Sequence, residues 1–494
     1  LEEETDPTLR EWIEIVRSGG RMPGRLYDAV TEGLEEVRAE LRCGGDLHDR
    51  RGSFNGGTAL MVACRQFHAT TLEVVALLLD EGAEIDAVDE EGRTALMRAS
   101  GGHSDLDTIK LLLDRGADLH TRDHSGCSAL LHAARHWWDP EAVELLLDRG
   151  AEIEDRDSDG RTPLMIAAQH SKNPGEVASL LDRGADLEAR DSIGVTPLML
   201  AAREAKTPEV VALLLDRGAE IEARASEGWT PLMFAAVGWK SVEHVRLLLD
   251  RGAEIEARSE AGVTPLGAAA NDAHNPEILT LLLDRGAELE ARSDKGWTPL
   301  MQAASGTGSN SVDLVALLLD RGAEVSACTE TGLTPLCLAA RSTQSPACLA
   351  LLLEAGADLE GAVDTGQTPL FFAAGCSDAP EVVALLLDGG AEINARDTGR
   401  RSPLMWAVSR PVTPDFISLL LERGADVDAQ DSLGASPLMI AAGKTLTPQV
   451  ISLLLNFGAD PMIEDGAGKK AIDYAEENPA LEDSDALREL RRRS

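Results

Sequence analysis

The chain has 494 residues, enough for several ordinary domains, yet its composition does not shift along its length. With 46 Lys and Arg against 85 Asp and Glu, its formal net charge is -39. That charge excludes attraction to nucleic-acid phosphates or to an anionic membrane, and it favours a basic or neutral partner. Seven Cys with no CxxC and no Cys/His ligand spacing do not make a disulfide framework or a zinc site. No apolar run nears the roughly 20 residues of a membrane helix, so the chain reads as a soluble protein. A start at Leu1 rather than Met marks a processed or truncated product. The cytoplasm is favoured, with the periplasm or secretion left open.

In chain order, Thr5-Asp6-Pro7 opens a predicted helix through Val16 within an N-terminal segment, 1–25. Residues 26–50 contain LYDAVTEGLEEVRAELRCGGDLH, a degraded copy of the unit that follows. From 51 to 467 a Thr/Ser-Pro/Ala-Leu triplet recurs at Thr58, Thr94, Ser128, Thr162, Thr196, Thr230, Thr264, Thr298, Thr334, Thr368, Ser402 and Ser436. Most steps are 34 residues; those from Thr58 and from Thr298 are 36, with the two extra residues between the triplet and the next LLLD-like run, which marks a loop. In the unit Gly194–Arg224, Thr196 is placed to cap a first helix with Pro197 at its first position. Ala201 and Ala202 keep that helix thin. Thr207-Pro208 repeats the start signal for a second helix that buries Val210, Val211, Leu213, Leu214 and Leu215, and Gly218 stops it. Residues 468–494 hold GKKAIDYAEENP and a predicted helix, Ser484 to Arg493, whose basic end suits a helix C-terminus.

The pattern GxTPLMxAA followed by PEVVxLLLDRGAEIEARD resembles the ankyrin repeat over nearly the whole chain. The resemblance implies an all-α solenoid of stacked helix-turn-helix units joined by β-turns, about 12 full repeats between polar terminal caps. Two departures stand out. Met165, Met199 and Met233 occupy the place of the family's His after TPL, and the unit is one residue longer than the usual repeat, a form similar to many bacterial ankyrin proteins.

In that family the turn before TPL and the exposed side of the first helix line a concave surface. The residue just before the Thr runs Arg93, Cys127, Arg161, Val195, Trp229, Val263, Trp297, Leu333, Gln367, Arg401 and Ala435. Four after the Thr the column includes Arg98, His132, Ile166, Leu200, Phe234, Gln302, Leu338, Phe372, Trp406 and Ile440, and a third column, between the helices, includes Trp137 and Trp239. All Trp but Trp12 fall in or beside these columns while Leu, Ala and Val fill the core positions, so the rings read as displayed anchors, a residue type common at interface centres. The competing reading packs Phe234, Phe372 and Trp406 between adjacent repeats. The central repeats also lose the Asp found five before the Thr at Asp89, Asp123, Asp157 and Asp191; Ala225, Ser259, Ser293, Thr329 and Val363 replace it. That change fits either a less charged binding zone from Trp229 to Phe372 or a relaxed turn without function.

Other constellations carry less. Glu154, Glu188, Glu222, Glu256 and Glu290 precede Arg156, Arg190, Arg224, Arg258 and Arg292 by two, which predicts stacked Glu–Arg ladders. Asp155 to Gly160 imitates the start of a calcium loop, but its twelfth position is Ile166 rather than Glu. His132 and His136, with His124 nearby, lack a well-spaced further ligand. No nucleophile, phosphate-loop or metalloprotease motif is present, so the expected chain is not an enzyme and takes no cofactor or metal. It is expected to be monomeric alone and to bind a protein or peptide, basic or neutral with an apolar anchor, through Trp137, Arg161, Trp229, Phe234, Trp239, Trp297, Leu333, Leu338, Phe372 and Trp406. Two other readings stay open: the targeting region of a larger enzyme or host-directed bacterial effector, and a structural spacer or self-associating scaffold.

Overall fold

The computed structural model describes residues 25–42, 45–48, 56–65, 71–102, 106–135, 140–238, 242–272, 276–306, 310–341, 346–376, 379–410, 413–444, 447–482 and 484–493. Among them every regular element is helical. The helix expected from Thr5, with Trp12, lies outside the described residues. By its contacts the chain forms two compact units, Leu1–Ala235 with Glu243–Ala253, and Ala236–Val242 with Glu254–Ser494. No described helix is long and apolar enough to cross a membrane.

The first helices begin where the capping chemistry places them. In Pro197–Glu204 the Thr196 hydroxyl accepts the Met199 N–H at 3.4 Å, and Pro197 occupies the first turn. Met199 answers the cap: its Sδ accepts the Thr196 N–H at 3.4 Å, and Met405 and Met439 do the same for Ser402 and Ser436. In these three repeats the Met that departs from the family pattern serves as the far half of a capping box with a sulfur acceptor, weak but buried. Leu198, Met199, Ala201 and Ala202 are buried, and the small alanines let successive first helices approach closely.

The second helix, Pro208–Asp216, differs from expectation in two ways. Thr207 precedes it without a side-chain capping bond, and its buried Oγ1 has no hydrogen-bond partner. Burial is also narrower: Val210, Val211 and Leu214 are buried, whereas Leu213 and Leu215 are half-buried. At about 100° per residue, Leu213 and Leu215 fall on either side of the stripe centred on Leu214. The stop signal behaves as expected: Gly218 takes φ +93°, and the Ala219 N–H reaches back to the Leu214 carbonyl at 3.0 Å, closing the helix end.

Repeats are joined by turns that hydrogen-bond to one another. In the first unit His124, Ser158, Ser192 and Ser226 donate their N–H groups to the carbonyls of Glu91, Ser125, Asp159 and Ile193 at 2.8–2.9 Å. In the second, Asp294, Asp364, Thr398 and Ser432 do so to Ala261, Thr331, Thr365 and Gly399 at 2.8–3.0 Å. The expected Glu–Arg rows turn out to serve the backbone. Glu154, Glu188, Glu256 and Glu290 accept N–H bonds from Asp186, Glu220, Glu288 and Glu324 of the following repeat. Arg156, Arg190 and Arg258 reach the carbonyls of Arg190, Arg224 and Arg292. An ion-pair ladder does run along the stack, one segment earlier: Arg115–Asp80, Arg149–Asp114, Arg183–Asp148 and Arg217–Asp182 pair at 2.7–3.0 Å between successive helix ends. These pairs are exposed, so each contributes about 0–1 kcal/mol.

At the start of the described chain, helices Arg25–Glu32 and Leu34–Arg42 pair together. At the other end, helix Asp485–Arg493 buries Leu487 and Leu490, and Arg493 bonds the Leu455 carbonyl at 2.9 Å.

Candidate partner-binding face

Each turn before a first helix is shaped by the residue five before the capping Thr or Ser. Where this is Asp, one carboxylate oxygen accepts N–H groups of the turn: Asp123 Oδ1 takes those of Ser125 and Cys127, each at 2.9 Å, Asp191 Oδ1 those of Ile193 and Val195, and Asp397 Oδ1 that of Arg401. The other oxygen is turned toward the helix. Asp123 Oδ2 meets His132 Nε2 at 2.8 Å, Asp397 Oδ2 accepts Trp406 Nε1 at 3.2 Å, Tyr474 Oη donates to Asp465 Oδ2 at 2.5 Å, and Arg98 pairs with Asp89. The two partners are nine residues apart in each case. Wherever the helix position carries one of these four donors, the turn position is Asp, a pairing visible in the sequence only when the two columns are read together.

Asp123 shows the electrostatic result. Burial opposes its charge, but the hydrogen bond and charge of His132, with the N–H groups of Cys127 and Ser125, outweigh it and hold the carboxyl at about 2 rather than 3.8. His132 is buried and engaged with this carboxylate; His136 lies outside the described residues. The calcium-like run resolves into an ordinary turn, with Asp157 Oδ1 accepting the N–H groups of Asp159 and Arg161.

In the repeats that lack the Asp, the turn is closed by less. The hydroxyls of Ser259, Ser293 and Thr329 accept a single turn N–H, from Val263, Trp297 and Leu333 at 3.0–3.2 Å, and Thr329 Oγ1 also bonds Thr331 Oγ1 at 3.0 Å. Ala225 has no side-chain acceptor to offer, and its turn is built differently: Glu227 takes φ +63° beside Gly228 at +74°. Val363 also lacks an acceptor yet keeps the usual turn, so absence of the carboxylate permits the left-handed tip without forcing it.

The residues expected to contact a partner fall into distinct settings. In the first unit, Trp229 is half-buried and stands edge-on to Phe234, ring centres 5.8 Å apart at 69°. Phe234 rests on the buried cluster Met165, Val195, Met199, Leu200 and Ala223. The neighbouring turn carries Ile193, 57% exposed, whose carbonyl accepts the Ser226 N–H. Arg161 is half-buried, its Nη2 3.3 Å from Asp159. In the second unit Trp297, Leu333 and Phe372 are half-buried, whereas Leu338 is only 4% exposed and belongs to the packing between repeats, because no ring or donor at its position reaches out of the interface. Trp406 is held twice, by Asp397 and against the preceding repeat, where a Cβ on Gly375 would come within 3.1 Å of its Cε3. Its ring is thus seated between repeats. Trp137 and Trp239 lie outside the described residues.

Comparison with known families agrees with this architecture. The family model described as ankyrin repeats (3 copies) matches residues 26–123, 103–191, 172–259, 254–327, 308–397 and 404–491. No curated protein matches the chain. With the repeat motif, the helix pairs and the family matches in agreement across most of its length, the chain belongs to the ankyrin-repeat family.

Proposed function

We propose that this protein holds a protein or peptide segment on the face made by its turns and first helices, with Trp229 and Phe234 of the first unit as the apolar anchor. Ankyrin repeats are generally protein–protein interaction modules, and the observation that carries the finer reading is the edge-on Trp229–Phe234 pair. Phe234 is seated on buried core, which fixes the partly exposed Trp229 in one orientation, and exposed Ile193 extends the apolar surface. A rigid, half-exposed Trp offers large contact area at low entropic cost. The net charge of -39 attracts a partner of opposite overall charge over distances longer than the contacts themselves.

The test is affinity capture with the intact chain, identification of the bound protein by mass spectrometry, and titration of that protein against Trp229→Ala. Loss of at least about ten-fold in affinity, with unchanged helical circular dichroism, is expected for an interface anchor. Unchanged affinity places the site elsewhere.

A further inference from the structure

In two turns of the first unit, an acidic residue at the tip meets the side chain two positions on, just before the capping Thr. Glu91 forms an ion pair with Arg93, and Asp159 lies 3.3 Å from Arg161 Nη2. In both repeats the tip carboxylate has its cation within the same turn. The next acidic tip is Glu227, and the place two positions on is taken by Trp229. The Glu227 side chain is exposed, and among the described residues its carboxylate makes no ion pair or hydrogen bond.

Backbone bonds keep the acid and the ring together. The Gly228 N–H reaches the Ala225 carbonyl and the Ala225 N–H the Trp229 carbonyl, each at 3.0 Å, so Glu227 stands at the apex of a short closed loop with Trp229 at its base. Two residues of chain separate their Cα atoms by at most about 7 Å, a gap that one long side chain bridges. The indole is half-buried and fixed edge-on to Phe234, ring centres 5.8 Å apart. A ring held in this way attracts a cation to its face, Trp more strongly than Tyr or Phe. The last repeat contains such a union within the chain: in the columns of Trp229 and Phe234, Lys469 Nζ stands 5.2 Å over the Tyr474 ring and 3.0 Å from Glu477.

We propose that Glu227 and Trp229 together receive an arginine side chain of the bound segment, its guanidinium stacked on the indole and its N–H fork turned to the carboxylate. This rests on the reading of Trp229 as the partner's anchor point, and it joins ring contact and charge preference in one residue of the partner. Arginine suits the place better than lysine because a planar cation stacks and donates in its own plane at once. It is also the residue that meets the tip acid in the two repeats that pair it internally. Trp297, half-buried in the same column, is the natural contrast: its tip residue is the exposed Lys295, which repels a second cation.

The test needs no identified partner. The full chain is labelled with fluorotryptophan, and the Trp229 and Trp297 signals are assigned in fluorine NMR spectra by their loss in Trp229→Phe and Trp297→Phe. It is titrated with a short alanine peptide, acetylated and amidated, that carries one central arginine, and with the same peptide carrying neutral citrulline there. Expected is a saturable shift of the Trp229 signal with the arginine peptide, binding about ten-fold weaker with citrulline, and no saturable shift of Trp297. Glu227→Gln should weaken the arginine peptide about five-fold. Because that change removes one of 85 acidic residues, such a loss does not come from the overall charge. Absence of a saturable shift at Trp229, equal affinity of the two peptides, unchanged affinity in Glu227→Gln, or an equal response at Trp297 overturns the proposal. The anchor itself stands or falls with the captured partner and Trp229→Ala: a partner weakened by Trp229→Ala but not by Glu227→Gln keeps the anchor and overturns the arginine.

Discussion

The repeat built on Asp123 and the repeat built on Ala225 lie in the same unit, start their first helices from the same position, and close their turns with the same two backbone bonds, but they differ in what the side chains add. The first uses one carboxylate to bind two turn N–H groups and a buried His132. The second has no side-chain acceptor at this position, leaves Glu227 in a left-handed conformation, and puts an apolar ring, Phe234, where His132 would be. The lesson is that the turn residue and the helix residue nine positions on form one device. The donors Arg98, His132, Trp406 and Tyr474 on the helix each meet an acid on the turn, because a buried donor without a partner costs more than the bond itself contributes. An apolar residue on the helix releases the turn to vary. Function can then act on the released turns without unfolding the repeat.

The strongest break of this comparison is Asp123→Ala. It strands His132 and two N–H groups, and hydrogen bonds to charged groups contribute about 1.5–3 kcal/mol each, not additively, so a loss of about 3 kcal/mol is expected in urea unfolding followed at probes within the first unit. Adding His132→Leu to Asp123→Ala recreates the logic of the Ala225 and Phe234 pair, Ala on the turn and an apolar residue on the helix, and should recover at least about 1 kcal/mol, since removing both partners is far cheaper than removing one. If the double variant is no more stable than the single, the two columns are not coupled. The acid side gives an independent check. The folded carboxyl of Asp123, at about 2, lies below its unfolded value of 3.8, so its contribution is complete above about pH 4 and is lost as pH falls toward 2. Asp123→Ala should flatten the stability profile in that window.

Much of this molecule is legible in its sequence because a single physical solution is written many times. Thr196 and Pro197 announce a helix start by capping chemistry, Gly218 its end by φ, and both hold in the structure. What reading the columns one at a time could not deliver is contact across columns. Asp397 and Trp406 are nine residues apart on different elements, so neither periodicity nor local spacing links them, and the columns left Trp406 open between a displayed ring and one packed between repeats; it bonds Asp397 and lies against Gly375. The Glu–Arg rows show a related limit: charge pattern suggests ion pairs and is silent on the backbone groups of the neighbouring repeat that Glu154 and Arg156 bond. Leu338 illustrates a third limit, since the column is not uniform: Ile166, Leu200, Leu338 and His132 are buried whereas Phe234, Phe372, Trp406 and Ile440 are half-buried, and the spacing is the same for all.

Trp406 permits a milder test of the same coupling. Trp406→Phe keeps a ring over Gly375 but removes the Nε1–H donor, leaving Asp397 with the Arg401 N–H at 2.8 Å as a remaining bond. The expected loss is about 1.5 kcal/mol, the lower end for a bond to a charged group, measured by urea unfolding at probes within the second unit. No loss would mean that the bond is solvent-screened and that the ring contact alone holds Trp406.

The smallest expected effect addresses the released turn itself. Glu227 has φ +63°, a region that costs an ordinary side chain about 1–2 kcal/mol, and it lies two residues before Trp229. Glycine removes that cost but gains freedom in the unfolded chain, so Glu227→Gly should raise stability by only about 0.5–1 kcal/mol. Arg400, at φ +59° in a turn whose Asp397 is intact, is the control: Arg400→Gly should stabilise by a similar amount with no consequence for a partner held at Trp229. If the left-handed tip serves only to complete the turn, Glu227→Gly will bind a partner no more weakly than Glu227→Gln, which removes the same carboxylate. If the tip holds Trp229 in the orientation set against Phe234, the more flexible glycine will weaken binding further while strengthening the fold, and that opposition between the two measurements separates a turn kept for presentation from one merely tolerated.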